Sequence, residues 1–263
     1  MMIKFDRFPG GRKKAVTMSY DDASIHDKRL VEIFNKNGIK GTFHINSGRL
    51  GKETHLSADE IVEVYKGHEI ACHGVEHHSL VNLMPHNMVQ EVLEDRKALE
   101  KITGAPVRGL SYANGSFNDD VIAAMKSCGI AYSRSTASTG GFSIPKDFLA
   151  WTPTCHHKNA EDAVERFLNL KWSSGYLLYI WGHAHEFARE NNWELIEGIC
   201  EKLGGRDELW YAANIEIYDY VKAQRQLITT VDNKVIINPT VHELWFSIDE
   251  EPYKIGPGET LKF

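Results

Sequence analysis

Between residues 15 and 212 the chain keeps returning to one pattern, a short strand-like run followed by a helical period. The runs fall at 15–20, 41–46, 69–72, 107–112, 131–135, 176–181 and 209–212. A strand followed by a helix and another strand is the mark of parallel pairing, because parallel neighbours need a crossover of a dozen or more residues. About seven such units suit a parallel barrel, although an open doubly wound sheet would show the same alternation. The expected fold is α/β, a distorted (β/α)7-type parallel barrel. At 263 residues the chain is long enough, since such barrels run to about 250.

The helical periods carry their own punctuation. Val89, Val92, Leu93, Leu99 and Ile102 recur at helical spacing over 87–103, and Gly104 supplies a C-terminal stop. Ser57-Ala58-Asp59-Glu60 reads as a capping box, and Asn118 as the N-cap of a helix over 119–127. Ala163, Val164, Phe167 and Leu168 mark another amphipathic helix, and 193–203 a further one. After about Gln226 the character changes to short β-type runs divided by turn residues such as Asn238-Pro239 and Gly256-Pro257-Gly258. The expected division is a barrel over 1–225 and a small antiparallel β-rich appendage over 226–263.

Composition narrows the function classes. Hydrophobic residues make up 42% and charged residues 25%, as in an ordinary globular protein. A net charge of −6, with no basic block beyond Arg12-Lys13-Lys14, argues against a nucleic-acid partner. No segment has the length and apolarity of a membrane span, and the first residues hold no signal-like apolar run, so a cytoplasmic location is expected of the chain as it stands. Cys72, Cys128, Cys155 and Cys200 show no C-x-x-C spacing and read as free thiols, with Cys72 in the core. Trp172, Trp181, Trp193 and Trp210 read as core aromatics, and Trp181 could instead line a sugar or acetyl pocket.

Two segments at strand ends carry the chemistry. Ser19-Tyr20-Asp21-Asp22 closes the first run, and His73-Gly74-Val75-Glu76-His77 follows the third. With 13 histidines in the chain, an H-x-x-x-H alone says little, and Asp-Asp pairs are common in turns. Their shared position counts for more, because α/β folds build sites at the C-terminal ends of parallel strands. A carboxylate with two imidazoles is a ligand set for a catalytic divalent ion, and an adjacent carboxylate can take a proton. Zn²⁺ fits this set first, while Co²⁺, Ni²⁺ or Fe²⁺ would also suit it.

Taken in order, these segments resemble the polysaccharide deacetylase family with the NodB homology domain, carbohydrate esterase family 4, over about residues 12–222. Met18-Ser19-Tyr20-Asp21-Asp22 resembles the motif T-F-D-D, and His73–His77 resembles H-[ST]-x-x-H with Gly74 in the small position. Gly38–Asn46 is similar to the family's second strand, and Tyr179-Ile180-Trp181-Gly182-His183 to its last motif, a hydrophobic strand ending in L-x-H. The third motif, R-P-P-Y-G, departs: its arginine falls on Ser111 and its tyrosine on Asn114. The fourth, of D-x-x-D-W type, is not evident.

The resemblance implies Asp21 as general base, His183 as general acid, and Asp22, His73 and His77 as ligands of one divalent metal. It leaves the base's orienting cation to be found, with Arg134 and Arg108 as the candidates, and puts the backbone N–H of Asn114 by the oxyanion. Tyr112, Trp151, His156, Trp181 and His185 are expected around the substrate, with His185 an alternative acid. The implied reaction is removal of an N-acetyl group from a sugar or oligosaccharide, so an acetylated carbohydrate is the expected partner. Hydrolysis of a C–N amide on a small non-sugar substrate, or non-catalytic carbohydrate binding, are the alternatives.

Overall fold

The structure is a computed structural model and describes residues 2–171 and 175–263; Trp172, expected in the core, lies outside the described residues. The elements run β1 (Ile3–Lys4), β2 (Lys14–Asp21), α1 (Asp27–Lys36), β3 (Gly41–Ile45), α2 (Ala58–Val64), β4 (Glu69–Cys72), α3 (Pro85–Thr103), β5 (Gly109–Ser111), α4 (Asp119–Ser127) and β6 (Tyr132–Arg134). Then come β7 (Cys155–His156), α5 (Ala160–Leu168), β8 (Tyr176–Gly182), α6 (Ala184–Glu190), α7 (Trp193–Leu203), β9 (Leu209–Tyr211) and α8 (Asn214–Gln224). Five short strands finish the chain: β10 (Ile228–Thr229), β11 (Val235–Ile237), β12 (Leu244–Ile248), β13 (Glu251–Ile255) and β14 (Thr260–Lys262).

The main sheet is parallel, in the order β6-β5-β4-β3-β2-β8-β7, with β9 also pairing with the start of β2. Residues 151–156 draw its two edges together. Trp151 bridges Arg134 in parallel and donates its N–H to Ser133 O, while Thr154 donates to Tyr179 O. This is the expected distorted (β/α)7-type barrel. Its short β7 escapes a reading by periodicity, because two residues show no alternation.

Alternation along β2 sets the inside from the outside. Val16, Met18 and Tyr20 face the helices and pack with Leu30, Ile33 and Phe34 of α1 in the outer core. Ala15 joins the inner core, where Leu177, Tyr179, Tyr132 and Trp151 fill the barrel. Thr17, Ser19 and Asp21 share that inward face. Thr17 donates to Asn214 Oδ1 at 2.8 Å, and Ser19 Oγ lies 3.1 Å from the Tyr179 hydroxyl. Asp21 therefore ends an inward column whose polar groups are paired, at the rim where loops gather.

The tail forms two three-stranded sheets, β1-β12-β13 and β10-β11-β14. The first recruits the N-terminus, with Ile3 opposite Ile248. Leu244, Phe246, Ile248 and Ile255 share a buried cluster with Phe8, Ala15 and Leu177, so these strands pack on the barrel's inner core. All four cysteines are free and buried, Cys72 among the outer core residues. Among the described residues, no helix is long and apolar enough to cross a membrane.

Candidate active site

Asp21 is the centre of the rim. It is 2% exposed. The Arg134 guanidinium donates to Oδ2. His44 Nδ1 lies 3.2 Å from Oδ1, Ser111 Oγ donates to Oδ1 at 3.3 Å, and His73 Nε2 stands 3.8 Å from Oδ2. Burial alone would raise the carboxyl's pKa, but the Arg134 charge, with His73 and His44, holds it well below the ordinary carboxylate range. His44 itself is pushed down to about 4 by burial, against the pull of Asp21, and so stays neutral beneath the site.

Arg134 reaches Asp21 because it ends β6 on the inward face, fully buried, with its guanidinium 4.4 Å over the Trp181 ring. Arg108 does not reach the base. It precedes β5 instead of ending it, and its guanidinium pairs with Asp219 of α8 at 3.1 and 2.6 Å.

Asp22, His73 and His77 come together with their donor atoms within 4.8 Å of one another. Asp22 (φ 80°) and His77 (φ 64°) both lie in the left-handed region, which non-glycine residues enter at a cost and which clusters at functional sites. His73 Nδ1 lies 2.8 Å from the Ser111 carbonyl. A proton on Nδ1 then leaves the Nε2 lone pair free. His73 Nε2 and Asp22 Oδ1 are 3.8 Å apart, and both are buried without a hydrogen-bond partner. Unpaired buried groups are costly, and a divalent ion between them would satisfy both. The donor set thus fits the metal that the family resemblance implies.

Two carboxylates of α3 hold this loop, and neither stood out in the sequence. Asp95 is buried and accepts from Ser47 N at 2.8 Å, His73 N at 3.0 Å and Gly74 N at 2.9 Å. Glu91 accepts from Glu76 N at 2.8 Å. Gly74 (φ 81°) is pressed against it: a Cβ there would stand 2.8 Å from Glu91 Oε1, so a serine or threonine would have to displace that carboxylate and adopt a left-handed backbone. The available signal was acidic residues at i and i+4 beside the apolar stripe of α3.

Across the cleft, His183 follows β8 and caps the approach to α6. Its Nε2 is 4.0 Å from both Asp21 Oδ2 and Asp22 Oδ2, and its Nδ1 is 3.5 Å from Glu186 Oε1. Burial would lower its pKa, but Glu186, Asp21 and Asp22 together raise it. The His185 ring lies 5.1 Å from that of His183, and burial with the His183 charge lowers its pKa. Glu186 went unnoticed in the sequence, although i,i+3 spacing from His183 on a helix puts the pair in reach. It is 3.1 Å from Nε2 of both His156 and His157.

The other expected pocket residues divide. Trp181 forms a wall beside Arg134, with the His156 ring edge-on at 4.8 Å. Asn114 (φ 58°) sits at the rim, where its side chain donates to Ser79 Oγ at 2.7 Å. Tyr112 and Trp151 are not in the pocket. Both are 1% exposed: Tyr112 stacks on Phe117 and donates its hydroxyl to Leu149 O, and Trp151 packs between Tyr132 and Tyr179. These large rings, one just past β5 and one at the bridge to β6, fill core volume instead of facing the opening.

Comparison with known proteins agrees with this geometry. The model of the polysaccharide deacetylase family matches residues 9–133. A probable peptidoglycan-N-acetylglucosamine deacetylase from Arthroderma benhamiae is 29% identical over 92 residues, which are 35% of this chain and 21% of that protein. The match therefore spans about a fifth of the relative's length. Among solved structures, a candidate polysaccharide deacetylase from Mycobacterium smegmatis superposes with a TM-score of 0.66 at 18% identity, over 84% of this chain and 94% of that one. A CE4 family pseudoenzyme from Bacillus anthracis superposes with a TM-score of 0.51 at 17% identity, over 81% and 67%. Over the matched residues the chain is similar to the polysaccharide deacetylase family, and its barrel is that of the solved structures it superposes on.

Proposed function

We propose that this chain hydrolyses the acetamido group of an N-acetylated sugar or oligosaccharide, using one divalent metal. The observation that carries the reading is a single cleft holding a clamped carboxylate, Asp21, an unsatisfied ligand trio, Asp22, His73 and His77, and a facing imidazole, His183. A divalent ion held by the trio polarises a carbonyl and lowers the pKa of a bound water. Asp21 takes the proton from the attacking water; Arg134 keeps it ionised and fixes its aim, at some cost in basicity. The backbone N–H of Asn114, on the rim loop after β5, is assigned to the developing oxyanion. His183, with its pKa raised by Glu186 and the two aspartates, carries the proton that the departing amine requires. Trp181 walls the cleft beside these groups, 7% exposed and with the Arg134 guanidinium over its ring, so an acetyl methyl suits it better than a sugar ring.

The test is acetate release from chitooligosaccharides by the chelator-stripped chain, before and after addition of Zn²⁺, Co²⁺ or Ni²⁺. Release should follow the metal. A metal-loaded chain that frees no acetate from any N- or O-acetylated glycan would leave the non-catalytic reading standing, which the pseudoenzyme relative gives reason to name.

A further inference from the structure

Beside the proposed metal trio lies a second set of donors, of which only Glu186 enters the proposed reaction, through His183. His156 ends β7, His157 follows it, and Glu186 stands in the first turn of α6. Nε2 of His156 and Nε2 of His157 each lie 3.1 Å from Oε2 of Glu186, and one ligand atom from each of the three residues falls within 4.8 Å of the others. At 3.1 Å an imidazole and a carboxylate ordinarily hydrogen-bond. Yet Oε2 is buried and has no hydrogen-bond partner, so the ring nitrogens are not aimed at it. The three donor atoms nonetheless lie within ligand-to-ligand reach of one another. Two ligand atoms each about 2.0–2.1 Å from a tetrahedral ion lie roughly 3.3 Å apart.

The cluster is held in place before any ion arrives. His157 is 1% exposed, with its ring stacked 4.2 Å from Phe187 and 5.9 Å from Tyr20. Beneath it is Gly182, where a Cβ would come within 1.9 Å of Nδ1, so the glycine is what lets the ring lie there. His156 is braced edge-on against Trp181. The nearby cation, Lys158, stands 3.8 Å from Oε2 but has a closer partner in Glu190 at 2.8 Å, and so can yield the site. Binding would break one long contact, from Lys158 N to His156 Nδ1 at 3.3 Å, so that Nδ1 carries the proton and Nε2 the lone pair.

We propose that His156, His157 and Glu186 form a second divalent-cation site, for a zinc-class ion that accepts two imidazole nitrogens and one carboxylate oxygen. The other oxygen of Glu186 faces His183 Nδ1 at 3.5 Å, so one carboxylate joins this site to the cleft. The test is zinc stoichiometry of the full chain after chelator stripping and dialysis against Zn²⁺, with Co²⁺ absorption spectra as a second readout. Wild type should hold two equivalents. His156→Gln and Glu186→Gln should each hold one, His77→Ala should hold one, and His77→Ala with His156→Gln should hold none. His156 is partly exposed, so its replacement spares the core, and circular dichroism verifies the fold. One equivalent in wild type, or a second equivalent that survives both His156→Gln and Glu186→Gln, overturns the proposal. Because no substrate enters the measurement, an inactive chain with two equivalents would reject the deacetylase reading and leave this one intact.

Discussion

Asp21 and Arg134 are both buried, and a buried charge is tolerated only beside its partner. Arg134→Met should therefore have two separable effects. It strands an ionised carboxyl in the interior and should cost about 3–5 kcal/mol of stability, read from a denaturant titration. It also releases the Asp21 pKa upward, so the acidic limb of the pH–rate profile should move to higher pH; an unmoved limb would mean another group orients the base. Arg108→Met, whose partner is Asp219, should leave that limb in place. Asp21→Asn should bind metal as wild type does yet lose about 10²–10⁴ in turnover, because it removes a proton acceptor and no ligand. His183→Ala should slow amides far more than activated esters, whose leaving groups need no proton. If His185→Ala shows that signature instead, the two histidines exchange roles.

At the scale of the element, α3 matters more to the site than its amphipathic stripe suggests. Its Asp95 gathers three backbone N–H groups, two of them from the loop that carries His73 and His77. Burial raises this carboxyl to about 6, and its hydrogen bonds only partly oppose that. Asp95→Ala would leave three donors without an acceptor, at roughly 1–3 kcal/mol for each one that water cannot reach. The expected outcome is a lower melting temperature and a metal affinity weaker by about 10–100-fold, since the loop's anchor is lost while the ligands remain. Unchanged metal affinity in a folded variant would show that β4 alone fixes the loop. The tail behaves similarly. Phe246 of β12 is fully buried in the inner core, so Phe246→Ala should cost about 3–5 kcal/mol even though it lies far along the chain from the site.

For the whole molecule, buried titratable groups set the pH at which the fold is most stable. Burial pushes Asp27 up to about 8 and Glu69 up to about 7, and Asp95 up to about 6. An acid whose pKa is higher folded than unfolded binds its proton more tightly in the native state, so each removes stability as pH rises from its unfolded value to its folded one. Burial lowers His44, His68 and His157 to about 4, so each adds stability as pH rises from about 4 to about 6.5. The two sets oppose one another below about pH 6; above about 6.5 Glu69 and Asp27 remain, and His183, whose pKa is raised, removes stability in the same direction as pH rises. The metal-free chain should therefore have a higher urea midpoint at pH 6 than at pH 8, with a difference of roughly 2–4 kcal/mol. A midpoint that rises towards pH 8 would mean that Asp27 and Glu69 ionise without resistance.

The alternation of runs and helical periods determined a parallel α/β sheet, because period and crossover length are local properties that the chain states in order; its closure into a barrel, and not an open sheet, was decided by the tertiary structure. The alternation also placed Asp21, Asp22, His73 and His77 at or just beyond strand ends that share one rim, while His183 was singled out by the family resemblance. Side-chain direction within a layer was not legible. Arg134 and Arg108 both stand beside strands in the sequence, and only the closed sheet shows that one ends its strand facing inward while the other precedes its strand and turns to α8. Tyr112 and Trp151 fill the core for the same reason, because ring volume is assigned by the space that neighbouring strands leave. Glu186 and Asp95 lie on helix faces whose neighbours come from distant segments, and Ile3 pairs with Ile248 across the whole chain. Local pattern decided what the elements are and where chemistry could gather. Long-range packing decided which cation meets which carboxylate, because that depends on distances the folded chain alone sets.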